Sequence, residues 1–525
     1  MAALAEEAPA APEMEQGVLR FEIVRFVLDG AKLLTQAEVD AAVAPYVGKH
    51  KDFSDVQHAL EAIEDAYAKR GYSAVSVLLP EQELEQGTVH FRAVESRFGK
   101  VEVKDNRYFS EANVLNALPS LRSGGVPRSK QIAQELKLAN ENPARQLNAV
   151  LKAGDRDDEV NANVIVTDND PTVWGLSLDN SGSTETGFTR LGISYRHANL
   201  FDADHVGSIQ YVTSPQHPDR MKVVGLSYKA PLYEYGDSVE FFGGYSNVNA
   251  LVGGLSNFQG GGLLLSLRYN FLLERIGRFD PRISLGLDRR NFKRIELSGT
   301  PSTILYDEIV VWPVSLAYAA QGKFEKSDVN FNISYLANMP GAEKGKEVDF
   351  AGYDRINTDA FGNTLPDYVP KANYRVARYG ASYARAVGDS GGQLRAALNG
   401  QWSRDVLIQG EQIRLGGADG VRGFSEGSEG GESGTRLNLE GYTPDFGRGN
   451  LGLRAVLFYD MGWAKPVNGE TVSVKSAGAG LRASYTEQLS LRLDWAQIRQ
   501  IENPSMGQTQ QVGDWRWHAS LNASY

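Results

Sequence analysis

The sequence predicts two small α+β domains followed by a sixteen-stranded antiparallel transmembrane β-barrel. Three observations support this fold class. Residues 17–95 and 96–170 repeat one order of helices and strands, and from residue 171 onward apolar and polar residues alternate in short segments. The connections between those segments alternate between long and short. With 525 residues, the chain is long enough for several domains.

The composition excludes several classes of protein. A formal net charge of −11 argues against a dedicated nucleic-acid-binding protein. Cysteine is absent, which excludes disulfide scaffolds, cysteine nucleophiles and thiolate metal sites. The seven histidines have no metal-ligand spacing and no phosphate-binding loop occurs, so we expect no metal and no other cofactor. No run of about 18 apolar residues occurs, which excludes a spanning helix but not spanning strands.

Residues 1–16 are predicted to form an N-terminal tail. The stretch MAALAEEAPAAPEMEQ has neither the basic n-region nor the apolar h-region of a secretory signal peptide. For an exported protein this implies that a signal has been removed. The alternative is a cytoplasmic protein with a disordered tail, and only the rest of the chain decides between the two.

The first α+β domain, residues 17–95, is predicted from capping boxes and hydrophobic periodicity. Its predicted elements are the strand Val18–Val27, a helix opened by Thr35 and Glu38, a helix opened by Ser54 and Gln57, and the strands Tyr72–Leu79 and Thr88–Val94. The second domain, residues 96–170, repeats this order. Its predicted elements are the strand Lys100–Lys104, the helices Ser110–Ala117 and Ser129–Asn140, and the strands Arg145–Lys152 and Val160–Thr167.

The barrel, residues 171–525, is predicted from period-two patterning. In the last segment Trp515, Trp517 and Ala519 alternate with Arg516 and His518, and every segment has one apolar and one polar face. A soluble sandwich is the alternative, but polar inner faces throughout favour a lipid-exposed barrel with a wet lumen. The sixteen predicted strand centres are Leu176, Ile193, Ile209, Leu226, Phe241, Leu265, Leu285, Leu316, Ile333, Ala381, Ala397, Leu439, Ala455, Leu481, Leu493 and Ala519.

The connections predict the orientation of the barrel. Those after odd-numbered strands include the long ones, Met339–Asn373, Arg404–Gly434 and Arg499–Gly513, whereas those after even-numbered strands are mostly short. Outer-membrane barrels have long loops outside and short turns in the periplasm. Both amino-terminal domains are therefore expected in the periplasm, and the chain ends in an aromatic strand at Tyr525.

The stretch LGGADGVRGFSEG, residues 415–427, raises the question of why an arginine lies among so many glycines. It falls in the long connection between the eleventh and twelfth strands. An arginine drawn into a barrel lumen needs a carboxylate partner, because an unpaired buried charge is costly. On the thirteenth strand, Phe458 and Asp460 share the face opposite to Leu457 and Tyr459, so both are expected to face the lumen.

These residues carry a resemblance to a known superfamily. Val421, Arg422, Gly423 and Phe424 match the VRGY/F signature of transporters that combine POTRA domains with a barrel, and Phe458 and Asp460 match the F-x-D motif of the barrel wall. The resemblance implies that the connection at about 404–434 folds back into the lumen. It also identifies the two α+β domains as POTRA-like, which are periplasmic polypeptide-binding modules.

Two POTRA-like domains before sixteen strands resemble the two-partner secretion transporters, the TpsB family of type V secretion. The resemblance implies a transporter of the bacterial outer membrane that secretes a TpsA-type partner polypeptide, captured in extended form by the POTRA domains and passed through the barrel. It further implies contact with outer-membrane lipid, a monomer, and no nucleic acid. Family members often begin with a plug helix, for which residues 1–16 are too short, so the plug is either missing or truncated.

Three other functions remain as alternatives. A barrel-assembly insertase shares the POTRA domains and the Arg422 motif, and a passive porin shares the barrel. The pattern G-x-S-x-G at residues 423–427 also matches a hydrolase nucleophile elbow. That elbow requires an apolar strand before the serine and a helix after it, whereas EGSEGGESG follows here, so we expect no enzyme activity.

Overall fold

The computed structural model describes residues 19–83, 86–183, 186–247, 251–252, 255–259, 261–297, 303–341, 343–359, 361–486, 488–505 and 508–525. The predicted tail, residues 1–16, lies outside the described residues. The chain divides into two compact units, and the larger contains the whole segment Asp168–Tyr525. Among the described residues, no helix has the length and apolar character needed to cross a membrane.

The first domain packs two helices against a small sheet. Its strands are Phe21–Ile23, Arg25–Asp29, Gly48–Lys51, Val75–Leu78 and Thr88–Glu95, and its helices are Gln36–Val43, Phe53–Lys69 and the short 3-10 turn Ala44–Tyr46. Strand Thr88–Glu95 is central, parallel to Arg25–Asp29 and antiparallel to Val75–Leu78. The core is apolar and aromatic, with the rings of Phe26 and Phe91 stacked at 5.5 Å.

Two details of this domain differ from the sequence prediction. The predicted strand Val18–Val27 is interrupted at Val24, whose backbone N–H donates to the carbonyl of Gly87 at 2.8 Å. The chain therefore pairs with Gly48–Lys51 before this point and with Thr88–Glu95 after it. The second helix begins at Phe53 because the Asp52 carboxylate caps it, accepting hydrogen bonds from the next backbone N–H groups.

The second domain has the predicted order of elements. Its strands are Arg97–Lys104, Arg145–Ala153 and Glu159–Asp168, and its helices are Glu111–Asn116 and Ser129–Ala139. Strand Glu159–Asp168 lies in the centre of the three-stranded sheet and runs parallel to Arg97–Lys104.

The remainder of the chain closes into a sixteen-stranded antiparallel barrel, as predicted. The strands, in order, are Thr172–Asp179, Arg190–Leu200, His205–Thr213, Lys222–Leu232, Asp237–Ser246, Gly262–Leu272, Phe279–Phe292, the two-part strand Ile309–Val311 with Pro313–Lys323, Ser327–Asn338, Arg375–Val387, Gly392–Trp402, Ser433–Tyr442, Leu451–Lys465, Val472–Tyr485, Leu489–Glu502 and Trp515–Ser524. The last strand pairs with the first and so closes the barrel, with Leu521 opposite Leu178. Each predicted centre lies in its own strand.

Three connections contain a pair of short strands. The paired segments are Leu251–Val252 with Leu255–Gln259, Ile295–Leu297 with Thr303–Tyr306, and Ile413–Arg414 with Gly430–Gly431. The connection 339–374 contains helix Glu347–Ala351 and the 3-10 turn Pro366–Tyr368, and the connection 403–432 also contains the 3-10 turn Gln409–Glu411. The fifteenth strand continues to Glu502, so the connection that was predicted to begin at Arg499 spans 503–514.

The two faces of the barrel wall differ in burial. On the thirteenth strand Leu457 is 70% exposed and faces outward, whereas Phe458 and Asp460 are buried and face the interior. An apolar residue on an outward barrel face is exposed only until lipid covers it. The longest connection after an even-numbered strand is 443–450, whereas 339–374 and 403–432 follow odd-numbered strands.

Candidate functional site

The arginine of the glycine-rich motif lies inside the barrel. Arg422 belongs to the connection 403–432, and only 1% of its surface is exposed. Its Nε and Nη2 atoms donate to Oδ2 and Oδ1 of Asp460, each at 2.7 Å, and its backbone N–H donates to Oδ2 at 3.1 Å. Asp460 is fully buried on the thirteenth strand. This bidentate geometry makes an arginine–carboxylate pair both strong and directional.

Two further carboxylates and one ring surround the same guanidinium. Nη1 of Arg422 donates to Oε1 of Glu440 at 2.9 Å and lies 3.5 Å from Oδ2 of Asp494. The guanidinium carbon lies 3.5 Å from the ring centroid of Phe458, which is a cation–π contact. These partners come from the twelfth, thirteenth and fifteenth strands, so one side chain joins three strands of the wall.

Asp494 links Arg422 to two more arginines. Nη1 of Arg482 lies 2.7 Å from Oδ1 of Asp494, and Nε of Arg492 lies 2.7 Å from Oδ2. Nη1 of Arg492 also contacts Oδ1 of Asp419, in the connection itself, at 2.8 Å. Three arginines thus face three wall carboxylates, and this balance of charge offsets the cost of burying them.

Val421 and Phe424, on either side of the arginine, anchor the connection through apolar packing. Both are fully buried and contact Leu415 of the same connection. The wall contributes the rest of this cluster from the thirteenth, fourteenth and fifteenth strands, namely Ala464, Val472, Val474 and Ile498. The motif therefore combines one ion cluster with one apolar cluster in adjacent positions.

Two glycines of the motif explain why so many of them surround an arginine. A Cβ atom at Gly420 would lie 2.2 Å from the backbone oxygen of Leu415, so no side chain fits there. Gly423 has a φ of +93°, which L-residues adopt only with strain. Its N–H donates to Nε2 of His518 at 3.1 Å, and its carbonyl accepts from Nε2 of Gln510 at 2.8 Å.

One ionisable group of the connection has a displaced pKa. Burial raises the pKa of Glu426 to about 7, an effect that the nearby Asp419 and Asp179 reinforce. The backbone N–H of Ala418, which donates to Oε1 of Glu426 at 2.6 Å, acts in the opposite direction, as does Arg516. Glu426 thus changes charge near neutral pH.

The six residues that the sequence predicted for this site lie together in the structure: Val421, Arg422, Gly423, Phe424, Phe458 and Asp460. Sequence reasoning missed Glu440, Asp494 and His518, which come from three separate strands. A local signal existed for Asp494, because it stands between the outward-facing Leu493 and Trp495 and therefore points a carboxylate into the lumen.

The serine of the G-x-S-x-G pattern has no nucleophile-elbow geometry. Ser425 accepts a hydrogen bond at its Oγ from Nη1 of Arg516 at 3.0 Å. Residues 426–432, which are all described, contain turns and a two-residue strand but no helix. The strand-to-helix turn that exposes a hydrolase nucleophile is therefore not formed at this serine.

Comparison with known families places this site in context. The model of the haemolysin secretion/activation protein family ShlB/FhaC/HecB matches residues 159–483, which is more than half of the chain. The chain belongs to this family. A second model, the ShlB-type POTRA domain, matches residues 21–96. Members of the ShlB/FhaC/HecB family are transporters rather than enzymes.

Individual relatives agree with the family assignment. The chain is 27% identical over 459 residues to the outer membrane transporter CdiB of Escherichia coli O6:K15:H31, covering 84% of this chain and 72% of that one. It is 24% identical over 464 residues to the heme/hemopexin transporter protein HuxB of Haemophilus influenzae, covering 84% and 76%. Among solved structures, CdiB from Escherichia coli has the same fold, with a TM-score of 0.75, 21% identity and coverage of 98% and 93%.

Membership of the ShlB/FhaC/HecB family gives the protein its location and general function. It is a transporter of the bacterial outer membrane with POTRA domains in the periplasm, and it secretes a partner protein of the TpsA type. The chain enters the barrel from the periplasmic side. The connections after odd-numbered strands, including 403–432, therefore begin and end at the extracellular side of the barrel.

Proposed function

We propose that the partner polypeptide crosses the outer membrane in extended form through the lumen of this barrel. The observation that carries the proposal is the space inside it. A cavity of about 930 Å³ remains beside the connection 403–432, lined by polar residues such as Gln210, Asn332 and Asn399. Sixteen strands enclose an aqueous channel, and a cavity of this size admits an extended segment but not a folded domain.

We propose that the amino-terminal domains capture the partner by adding it to a sheet as a further strand. Strand Val75–Leu78 lies at the edge of its sheet, and Leu78 is 50% exposed there. An edge strand offers a row of backbone donors and acceptors to an extended chain. Capture at an edge requires an unfolded partner, which agrees with passage in extended form.

The Arg422 site is proposed to hold the connection 403–432 in the lumen during this cycle. Its ion pairs with Asp460, Glu440 and Asp494 fix the tip of the connection against the wall. Export then needs the connection in a defined position rather than free in the channel. No nucleotide is required, since folding of the partner outside the cell makes its passage irreversible.

The barrel is proposed to work as a monomer in contact with lipid. Its strands close on themselves, so no strand edge is left for a second copy to cover. Outward-facing residues such as Leu316, Ile333 and Leu457 are each more than half exposed and supply the apolar surface that lipid covers.

Secretion of a modified partner tests the extended form. The transporter and its cognate partner are produced together in a bacterial host, with the partner either unmodified or carrying a small disulfide-locked domain at its carboxyl end. We expect the unmodified partner in the medium and the locked one stalled in the periplasm until a reductant is added. Release of the locked domain, still oxidised, at the rate of the unmodified partner would contradict the proposal.

A further inference from the structure

A second buried ion cluster holds the other arm of the connection 403–432. The side chain of Glu411 is 0% exposed. Nη1 of Arg290 donates to its two carboxylate oxygens at 2.7 and 2.9 Å, and Nη2 of Arg378 donates to Oε2 at 2.9 Å. Arg290 lies on the seventh strand and Arg378 on the tenth, so one carboxylate joins two strands that two others separate.

Further groups attach Glu411 and its arginines to the wall. Nη2 of Arg290 contacts Oδ2 of Asp288 at 2.5 Å, so a second carboxylate lies beside the arginines. The Gln401 side chain accepts from Nε of Arg378 at 2.9 Å and donates to the backbone carbonyl of Glu411 at 2.8 Å. Both the side chain and the backbone of Glu411 are therefore attached to the wall.

The Glu411 and Arg422 clusters lie on different parts of the barrel wall. Arg290 and Arg378 belong to the seventh and tenth strands, whereas Asp460 and Asp494 belong to the thirteenth and fifteenth. The connection is therefore attached at two separate places around the circumference of the barrel.

The arm held by Glu411 occupies the lumen. Leu407 and Ile408, just before it, are buried in an apolar cluster inside the barrel that includes Phe292, Phe350 and Tyr374. A Cβ atom at residue 410, which is a glycine, would lie 2.1 Å from the Phe292 ring. This close packing leaves the arm in the path of any polypeptide that uses the channel.

We propose that Glu411 is a positioning residue that latches this arm across the lumen, and that the arm must detach there while Arg422 keeps the tip in place. The inference deepens the proposed function, since it rests on passage of the partner through the same lumen. It assigns the two ends of the connection different tasks, a releasable latch at Glu411 and a lasting anchor at Arg422.

An ion pair suits a latch whose strength depends on water. The attraction between Glu411 and its two arginines is strong while the site is dry and weakens as the local dielectric constant rises. A polypeptide that enters the lumen brings its hydration water and so raises the local dielectric constant. Arg422 has more partners, three carboxylates and the Phe458 ring, so we expect the same change to leave the tip attached.

Planar bilayers containing the purified full-length protein, without partner, test the latch. Glu411→Gln keeps the size of the side chain but removes its charge, and we expect openings about tenfold more frequent than in the wild type, as loss of one charged contact implies. Glu411→Asp, which keeps the charge, should lie close to the wild type. The matched control is Glu429→Gln, because Glu429 is also buried in this connection but contacts Ser505 and Gln508 instead of arginines.

Wild-type opening frequency in Glu411→Gln would overturn the latch, as would an equal increase in Glu429→Gln. Arg378→Gln removes the other side of the same contact and should open as often as Glu411→Gln. Failure of both variants to form heat-modifiable barrels would also overturn the proposal, because the cluster would then serve folding. The measurement involves no partner, so its failure is distinct from failure of the secretion test.

Discussion

Arg422 and Glu411 attach one connection to one barrel wall with opposite polarity. At the Arg422 site a cation meets three carboxylates and an aromatic ring, whereas at the Glu411 site an anion meets two arginines. Both sites have buried apolar neighbours in the connection. The larger number of partners at Arg422 suits the tip to a lasting attachment and the Glu411 arm to release.

Removing the arginine of the Arg422 site should have the largest effect. Arg422→Ala leaves Asp460 buried without its main partner, which costs roughly 3–5 kcal/mol locally. The strand ladder should survive that loss, so the variant should insert and remain heat-modifiable on gels. Export of the partner should fall at least about tenfold, since breaking a buried charge pair of this kind costs more than 1.4 kcal/mol. Immunoblots of the medium, normalised to barrel levels, measure this.

Asp460→Ala should reproduce that loss, and the double variant should be little worse than either single one, because all three remove the same interaction. Arg404→Ala is the matched control, since Arg404 lies exposed in the same connection. Wild-type export by Arg422→Ala at normal barrel levels would remove the distinction between anchor and latch.

The barrel was predictable because its information is local. Alternation of faces and turn composition require only neighbouring residues, which is why every predicted strand centre, from Leu176 to Ala519, falls in its strand. The errors occurred where a partner distant in sequence decides the outcome. Val24 leaves the predicted first strand because its backbone bonds to Gly87, and the fifteenth strand continues to Glu502 because its neighbours extend the pairing.

The Arg422 site was only half predictable for the same reason. Arg422 and Asp460 stand in short sequence motifs, and alternation alone places Asp460 on the lumen side. Glu440 contacts Arg422 through the register of the twelfth strand, which no local pattern gives. Glu411 has no motif at all, and its two arginines are 121 and 33 residues away in sequence.

A glycine substitution should disturb the Arg422 site less than loss of the arginine. A Cβ at residue 420 would press against the backbone oxygen of Leu415, which cannot move aside as a flexible side chain can. Gly420→Ala should therefore displace the tip and lower export several-fold, with strain on the order of 1–3 kcal/mol. Gly441→Ala is the control, because a Cβ there meets only Leu394 at 3.6 Å. Equal export by the two variants would argue against a closely fitted tip.

A change of pH should affect the attachment of the tip more weakly than these substitutions, through the charge of Glu426. Its pKa is raised by burial to about 7, above the 4.5 of a free glutamate. Protonated Glu426 therefore stabilises the docked tip fully below about pH 4.5, and this stabilisation is lost as the pH rises through about 7. Partial exposure to solvent reduces the effect, so we expect protease cleavage of the connection to be a few-fold faster at pH 8 than at pH 5. The same difference in Glu426→Gln would show that another group is responsible.

The connection 403–432 enters the lumen from the medium only if the barrel has this orientation, and cysteine labelling tests the orientation with almost no perturbation. Asp354 and Glu429 in the extracellular connections are unsuitable as labelling sites, because they are only 7% and 4% exposed. Phe361 is 91% exposed in the connection 339–374, and the side chain of Asp389, in the turn between the tenth and eleventh strands, is 97% exposed.

Because the chain has no cysteine, single replacements report without background. An impermeant thiol reagent applied to intact cells should label Phe361→Cys but neither Asp389→Cys nor the exposed periplasmic Glu83→Cys, and all three should react once the outer membrane is permeabilised. Export should be unchanged in each, because exposed side chains of this kind contribute little to stability. Labelling of Asp389→Cys on intact cells would reverse the orientation, and the connection 403–432 would then enter the lumen from the periplasm.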